Sequence, residues 1–298
     1  MNKVLILGGT RFFGKRLVDH MLWEGKSQIT VATRGKTADV DFGPEVNRIK
    51  MDREDPESLA EVAQTEMWDV VYDNICYSPD AAKAACEAFA GRTKRYVLTS
   101  TLSVYGDPRP GFKETDFDPY TYPLQYGSAE DFSYGEGKRL AEAVFFQVAD
   151  FPVVAMRIPI VLGIDDYTRR LHFHIEHVQK GKPIGMPNPD AEIGFINSTE
   201  AARFLAWLGH SSITGPVNAA SKGAITLSAM IHLIETVTGM QSQILTETVK
   251  EDMSPFGIEQ SWTMETTKAE QAGYTFEALM DWFPGLVREV ALALQSER

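Results

Sequence analysis

The sequence predicts an α/β fold, a doubly wound parallel sheet that carries a smaller C-terminal substrate-binding domain. Three observations lead there. The chain opens on a continuously apolar run, VLILGG at residues 4–9, overlapping GGTRFFG and followed by an amphipathic stretch. Apolar runs and helical patterns then alternate as far as residue 163. Beyond it the composition becomes more polar, as in RRLHFHIEHVQKGKPIGMPNP. Such alternation suits strands buried on both faces beneath crossover helices, which favours one parallel sheet over separate helical and sheet domains.

The first strand is the VLILGG run, and a helix is expected over residues 13–24, where Leu17, Val18, Met21 and Leu22 recur on one side. A second strand is expected at 28–33, before a turn at Arg34 and Gly35. Residues 58–66 read as a helix, 68–73 as a buried strand, 79–89 as a helix and 95–100 as a strand ending in TSTLS. The segment SYGEGKRLAEAVFFQVAD reads as a long helix that leads into one more strand, PVVAMRIPIVLG. Residues 1–163 therefore form the sheet core and 164–193 an insertion that walls the substrate site. Residues 194–222 return to the core through a helix at 200–208 and a short strand at 216–220. Residues 223–298 form a mainly helical substrate-binding region. The ligand crevice is expected at the C-terminal edge of the sheet.

A chain of 298 residues with 44 % apolar composition is ample for folding. Its net charge of −12 is spread along the sequence and disfavours binding to a polyanionic backbone, so no nucleic-acid partner is expected. No stretch approaches the roughly 20 apolar residues of a membrane span, and no cleaved leader is expected before the glycine loop. Cys76 and Cys86 are the only cysteines, too few for a disulfide framework or a metal cluster. A reduced, cytoplasmic protein is the expectation.

The strand, glycine loop and helix at the N-terminus supply a physical reason to bind a dinucleotide. Gly8 permits the tight turn, Gly14 permits close packing of helix on strand, and the first amides of the helix can meet a pyrophosphate. The candidate loop contacts are Gly8, Thr10, Arg11, Phe12, Phe13 and Gly14. The bland alternative is a simple turn between strand and helix. At the end of the second strand, VATRG offers Thr33 and Arg34 and no acid before Asp39. An acid there would take the free ribose hydroxyls of NAD, whereas Arg34 suits the 2′-phosphate of NADP. Arg11, standing where such loops often carry a middle glycine, can join Arg34 in a clamp on that phosphate. Solvated surface arginines are the alternative for both. Asp52, after the third strand, is a candidate for the adenine amino group. NADP is the expected cofactor, with NAD as the alternative.

Tyr134 and Lys138 stand four apart in YGEGK, which places them on one helix face. A tyrosine hydroxyl ordinarily titrates near pH ~10, and a neighbouring cation favours its anion and so its use as an acid–base group. The pair suits proton exchange with a substrate hydroxyl while a nicotinamide exchanges hydride, and Lys138 can also reach the nicotinamide ribose. Thr101, at the end of a strand in TSTLSVYG, is the candidate for positioning the substrate oxygen. Ser100 and Ser103 compete with it, and a loop-capping role is the local alternative.

With these residues in view, the chain resembles the extended short-chain dehydrogenase/reductase family, which includes the NAD-dependent sugar epimerases and dehydratases. The resemblance rests on Gly8, Arg11 and Gly14 in the loop, Thr101 in TSTLSVYG, and Tyr134 with Lys138, followed by Glu142. MRIPIVLG, INSTEAARF and GPVNAAS extend it over most of residues 1–222. It implies a Rossmann NAD(P)-binding core, redox chemistry at a carbonyl or secondary alcohol, and a homodimer built through the helices at 79–90 and 134–148. Val144, Phe145, Phe146 and Val148 would supply apolar area to that contact or to the core. Several departures stand out. Arg11 replaces the middle glycine, as is familiar in NADP-preferring relatives, and Thr101 stands where many members have Ser. YDNICYSP replaces a run of small residues, so Asn74 and Tyr77 would border the cofactor channel. Gly135 and Gly137 would loosen the start of the catalytic helix. The loop also resembles that of certain chloroplast RNA-binding proteins, an activity the acidic balance argues against.

Among the remaining polar residues, His172, His174 and His177 in HFHIEH read as structural, as substrate contacts or, least of all, as metal ligands, and no metal is expected. Arg169 and Arg170 would face an anionic substrate group or solvent, and Trp262 would cover a ligand or fill the smaller core. The first functional expectation is an NADP-dependent oxidoreductase with Tyr134 as acid–base group. The alternatives are a nucleotide-sugar epimerase or dehydratase with internally recycled NAD(P), and a non-catalytic NADP-sensing protein. The partner is a small molecule, sugar-nucleotide-like in the second reading.

Overall fold

The computed structural model describes residues 1–35 and 40–296; Asp39 and the last two residues of the 223–298 region lie outside them. The core runs through β1 (Asn2–Leu7), α1 (Phe12–Glu24), β2 (Ser27–Thr33), β3 (Val46–Lys50), α2 (Pro56–Gln64), β4 (Val70–Asp73), α3 (Pro79–Phe89), β5 (Tyr96–Thr101), α4 (Tyr134–Val148) and β6 (Val153–Ile158). After β7 (Ile160–Leu162), α5 (Arg170–Lys180), β8 (Pro183–Gly185), β9 (Glu192–Ile193) and β10 (Phe195–Asn197), the chain returns through α6 (Ser198–His210) and β11 (Gly215–Asn218). It ends with β12 (Ile225–Thr226), α7 (Leu227–Thr238), β13 (Gln243–Leu245), α8 (Thr267–Gln271) and α9 (Leu279–Ser296). Seven parallel strands form the main sheet in the order β11-β6-β5-β4-β1-β2-β3. The order reverses between β1 and β4, which opens a crevice at their C-terminal ends.

Alternate side chains of each central strand enter opposite layers. Val4 and Ile6 pack with Leu17 and Val18 of α1 and Phe204 and Leu208 of α6. Leu5 and Leu7 pack with Leu59 of α2, Phe89 of α3 and Phe145 of α4 on the other face. Helix starts follow local chemistry: Asp55 and Ser78 cap α2 and α3, each with a proline directly after, and Ser133 caps α4 by accepting from the amide of Glu136. The Val144 and Phe145 side chains belong to this core, Phe146 is half-buried with its ring 5.1 Å from Tyr120, and Val148 stays exposed.

One sequence expectation is corrected here. PVVAMRIPIVLG is two strands: β6 stays in the main sheet, while β7 pairs with β10 beyond Pro159, which has no amide to donate. The 223–298 region is also divided. Its larger part joins the 164–193 insertion in one core around Ile175, Ile184, Phe195, Met230, Phe256 and Phe283. Ala269 of α8 and Phe276 instead pack with the main sheet.

Glu200, near the start of α6, ties these parts together. Its carboxylate accepts from the amide of Glu277 at 2.7 Å and the hydroxyl of Ser221 at 3.2 Å. Burial pushes this carboxyl up to about 7 from a usual value of 4.5. Across that window the folded protein keeps a proton that the unfolded chain has released, so stability falls as pH rises through about 7. Glu200→Gln is expected to flatten the difference between thermal melts at pH ~5 and pH ~7.5. An equal pH dependence in both proteins would assign it to other groups.

Candidate active site

The glycine loop leaves β1 through Gly8, whose φ of +81° lies in the left-handed region; a Cβ there would stand 2.6 Å from the side chain of Ile75. At Gly14 a Cβ would stand 2.4 Å from the Gly8 carbonyl oxygen, closing the approach of α1 to the loop. Arg11 needs no glycine. Its backbone is extended (φ −138°, ψ 151°), and the left-handed position falls on Phe12 at φ +51°. Holding Phe12 there costs about 1–2 kcal/mol. No side chain caps the first turn of α1, and that turn holds no acid. Its free amides and the glycine cradle fit a dinucleotide pyrophosphate.

Arg11 and Arg34 are exposed and have no ion pair with the described residues. Beside them, Thr10, Thr33, Gly35, Arg48 and Lys50 line a cleft of about 350 Å³ at the ends of β2 and β3. Asp52 is exposed in the turn after β3, where its carboxylate accepts from the amide of Glu54. The neighbouring Arg53 is buried and donates twice to Asp73, which also accepts from the hydroxyl of Tyr96. Asn74 is buried between the glycine loop and β5. Its amide donates to the Gly8 carbonyl at 3.4 Å, and its oxygen accepts from Thr99 at 2.7 Å.

A second cleft, of about 370 Å³, brings together Phe12, Phe13, Asn74, Thr101, Tyr134 and Lys138. Tyr134 projects from the first turn of α4 and is 56 % exposed. Lys138, one turn on, is buried; its ammonium donates to the carbonyls of Cys76 at 2.8 Å and Thr99 at 2.6 Å. Tyr77 stands near both, with Lys138 Nζ 5.3 Å from its ring centre and the Tyr134 ring 6.4 Å away. Burial pushes the Tyr77 hydroxyl above the usual phenol range, and the Tyr134 hydroxyl adds to the effect. Thr101 Oγ1 accepts from the amide of Ser103 and so caps the turn after β5 while lining the cleft. Ser100 is engaged elsewhere, donating to Glu142.

The glycines beside Glu136 have a packing role. A Cβ on Gly135 would lie 2.9 Å from the Ser103 carbonyl oxygen, and one on Gly137 would lie 2.6 Å from that of Tyr77. They allow α4 to seat closely against the loops that carry the hydroxyls. Deeper in α4, Glu142 and Arg157 of β6 form a fully buried ion pair. Arg157 also donates to the Tyr105 hydroxyl and to the carbonyls of Glu114 and Phe117.

The C-terminal lobe closes the cleft, in part with residues that the sequence did not mark. Asp166, Tyr167 and Thr168 line it together with Arg170 and Trp262. The segment is anchored by an ion pair between Arg16 and Asp165, and by Asp166 accepting from the amide and hydroxyl of Thr168. The D-x-T pattern in DDYT was the available signal, since Asp favours such a local turn. The histidines hold the lobe together: Nδ1 of His174 meets the Arg170 carbonyl and its Nε2 the Ser254 hydroxyl, while His177 meets Asp252. Burial lowers His174 to about 3, which keeps it neutral. Arg169 pairs with Glu176. Among the described residues no cluster of ligating side chains suits a metal ion, and no helix is long and apolar enough to cross a membrane.

Comparison with known proteins agrees with this arrangement. The NAD dependent epimerase/dehydratase family matches residues 4–216. A chloroplast stem-loop binding protein of 41 kDa (b) from Arabidopsis thaliana is 27 % identical over 224 residues, covering 70 % of this chain and 55 % of that protein. The chain therefore spans about half the length of that relative. UDP-glucuronic acid decarboxylase 6 of the same plant is 26 % identical over 259 residues, covering 79 % of this chain and 73 % of its own. A UDP-glucuronic acid 4-epimerase from Bacillus cereus, solved with NAD, superposes with a TM-score of 0.74 at 17 % identity, covering 98 % of this chain and 99 % of that one. Sheet order, glycine loop, Tyr-x-x-x-Lys helix and a family match across more than two thirds of the sequence lead to one conclusion: the chain belongs to the NAD dependent epimerase/dehydratase family.

Proposed function

We propose that the chain is a nucleotide-sugar epimerase or dehydratase whose nicotinamide cofactor is oxidised and reduced within one catalytic cycle. The carrying observation is a second cleft that shares a wall residue with the first. Pro159 stands in the wall of the cleft that holds Thr101, Tyr134 and Lys138 and also in the wall of a second cleft of about 350 Å³, lined by Ser221, Lys222 and Thr263. A sugar in the first, inner cleft would leave its nucleotide in the second. The decarboxylase and 4-epimerase named above, both described as acting on UDP-glucuronic acid, support this reading over net hydride transfer, the first expectation from sequence. The stem-loop-binding activity of the third relative is not carried over, because a net charge of −12 opposes a polyanion.

In this reading the bound nicotinamide supplies the hydride acceptor and donor. Tyr134 takes the proton from the reacting hydroxyl and returns it, Thr101 fixes the oxygen, and Lys138 places a positive charge behind them and holds the ribose. The test offers the cofactor-loaded protein a panel of UDP-, dTDP- and GDP-hexoses and follows products by chromatography alongside nicotinamide absorbance. Product without net change in cofactor supports the proposal. Cofactor reduced in step with product would favour a simple oxidoreductase, and binding without turnover a sensor. The two buried free thiols support a reducing, cytoplasmic setting.

NADP is the cofactor we propose, on the strength of Arg11, Arg34 and the adjoining Arg48 and Lys50. The Bacillus cereus neighbour was solved with NAD, so the proposed preference rests on these side chains and not on the fold. Arg11→Gly combined with Arg34→Asp is expected to weaken NADPH binding by roughly 10- to 100-fold, the loss of one or two charge-assisted contacts, with NADH nearly unaffected. Fluorescence titration checks this, and equal losses for both cofactors would remove the arginines from the 2′-phosphate.

A further inference from the structure

Two polar atoms in the wall that the C-terminal lobe contributes to the inner cleft have no hydrogen-bond partner among the described residues. Asp166 is 2 % exposed, and while its Oδ1 accepts twice from Thr168, its Oδ2 is buried with no hydrogen bond. The nearby cation, Arg170 Nε, is 3.8 Å from that oxygen, too far for a hydrogen bond. Nε1 of Trp262 is likewise buried with no acceptor. Both residues line the cleft that holds Thr101, Tyr134 and Lys138. Of the other buried unpartnered atoms, those of Arg53, Trp68 and His172 belong to residues that do not line it. Native proteins rarely leave such atoms unmet, and a group left so beside a reaction centre calls for a ligand or a water.

The two atoms are complementary in kind. A carboxylate oxygen can only accept and an indole N–H can only donate. A hydroxyl can do both, so the hydroxyls of a sugar ring can meet either atom. A ketone or a hydrocarbon satisfies at most Trp262 and leaves Asp166 unmet. The indole also offers an apolar face to the C–H surface of a pyranose. Resting on the nucleotide-sugar reading above, we infer that Asp166 and Trp262 determine specificity by binding hydroxyls of the sugar ring that do not themselves react. Pockets built to hydrogen-bond a hydroxyl reject analogues that lack it far more strongly than apolar pockets reject a size change. The substrate sugar is therefore hydroxylated where it meets them, and its deoxy analogues are poor ligands.

The test is calorimetric, with wild type, Asp166→Asn and Trp262→Phe, two substitutions that preserve shape. The probes are the tightest-binding member of the UDP-, dTDP- and GDP-hexose panel, the nucleoside diphosphate that corresponds to it, and NADPH. Each variant is expected to weaken the nucleotide sugar about 10-fold or more while changing the nucleoside diphosphate and NADPH by less than about 3-fold. Unchanged sugar affinity in both variants would overturn the inference and assign the two atoms to an ordered water. Parallel losses for sugar and nucleoside diphosphate would overturn it as well, by showing a general disturbance of the lobe. If no nucleotide sugar binds the wild type while NADPH does, the nucleotide-sugar reading itself fails. Sugar binding that is indifferent to both variants leaves that reading standing and removes only this one.

Discussion

Tyr134→Phe is expected to lower kcat by about 10²- to 10⁴-fold, the range for removing a positioned general acid–base group. Stability and dinucleotide affinity should hardly move. The Tyr134 side chain is more than half exposed, and among the described residues its ring meets only that of Tyr77, so loss of the hydroxyl removes no fold contact there. An exposed substitution of this kind usually changes stability by less than about 0.5 kcal/mol. Tyr77→Phe is the matching control. Its hydroxyl, held above the usual phenol range by burial, is poorly suited to take a proton near neutral pH. Single-turnover product formation separates the two, since it reads the chemical step without product release. If Tyr134→Phe kept full single-turnover rates, proton transfer would have to be assigned elsewhere in the cleft, with Thr101 the first candidate.

How far this site was legible follows from the range of the interactions that build it. The parallel strands announce themselves because residues such as Val4 to Leu7 are buried on both faces and must all be apolar. The Tyr134–Lys138 spacing and the glycine loop are equally local, and the structure gathers them at one sheet edge. Arg11 shows where local reading misleads. Glycine spacing suggests a lost glycine, but the demanding backbone position is one residue later, at Phe12. Gly135 and Gly137 make the same point. Helix propensity marks them as weak, and only the carbonyls of Ser103 and Tyr77, brought in from other loops, show why side chains are excluded there. The Arg53–Asp73 pair, Trp262 and Asp166 in one cleft wall, and His174 on Ser254 bring together residues between 20 and 96 positions apart. Their meeting depends on topology, which no local pattern encodes.

Glu142 and Arg157 give the other large expected effect. Arg157→Met should lower unfolding free energy by about 3–5 kcal/mol, because it strands a buried carboxylate. Both side chains are fully buried, and Glu142 receives from Arg157 Nε at 3.1 Å and Nη2 at 2.6 Å and from the Ser100 hydroxyl. The same guanidinium satisfies the carbonyls of Glu114 and Phe117 and lies 4.9 Å from the ring centre of Tyr105. Removing it therefore frees the segment from Glu114 to Phe117 as well as the carboxylate. Glu142→Leu with Arg157→Met should recover part of the loss, since a buried pair replaced as a unit leaves no charge behind. Urea unfolding of the two single variants and the double variant measures the coupling directly. A loss below about 1 kcal/mol for Arg157→Met, the scale of a solvent-exposed pair, would mean that water reaches the carboxylate. The functional consequence follows from position. Glu142 lies one turn beyond Lys138 and two beyond Tyr134, so the pair fixes how deeply α4 is seated on β5 and β6. A loosened α4 would move Tyr134 relative to Thr101. The coupling measured in urea should then reappear as a fall in single-turnover rate for partly destabilised variants, under conditions where they are still fully folded.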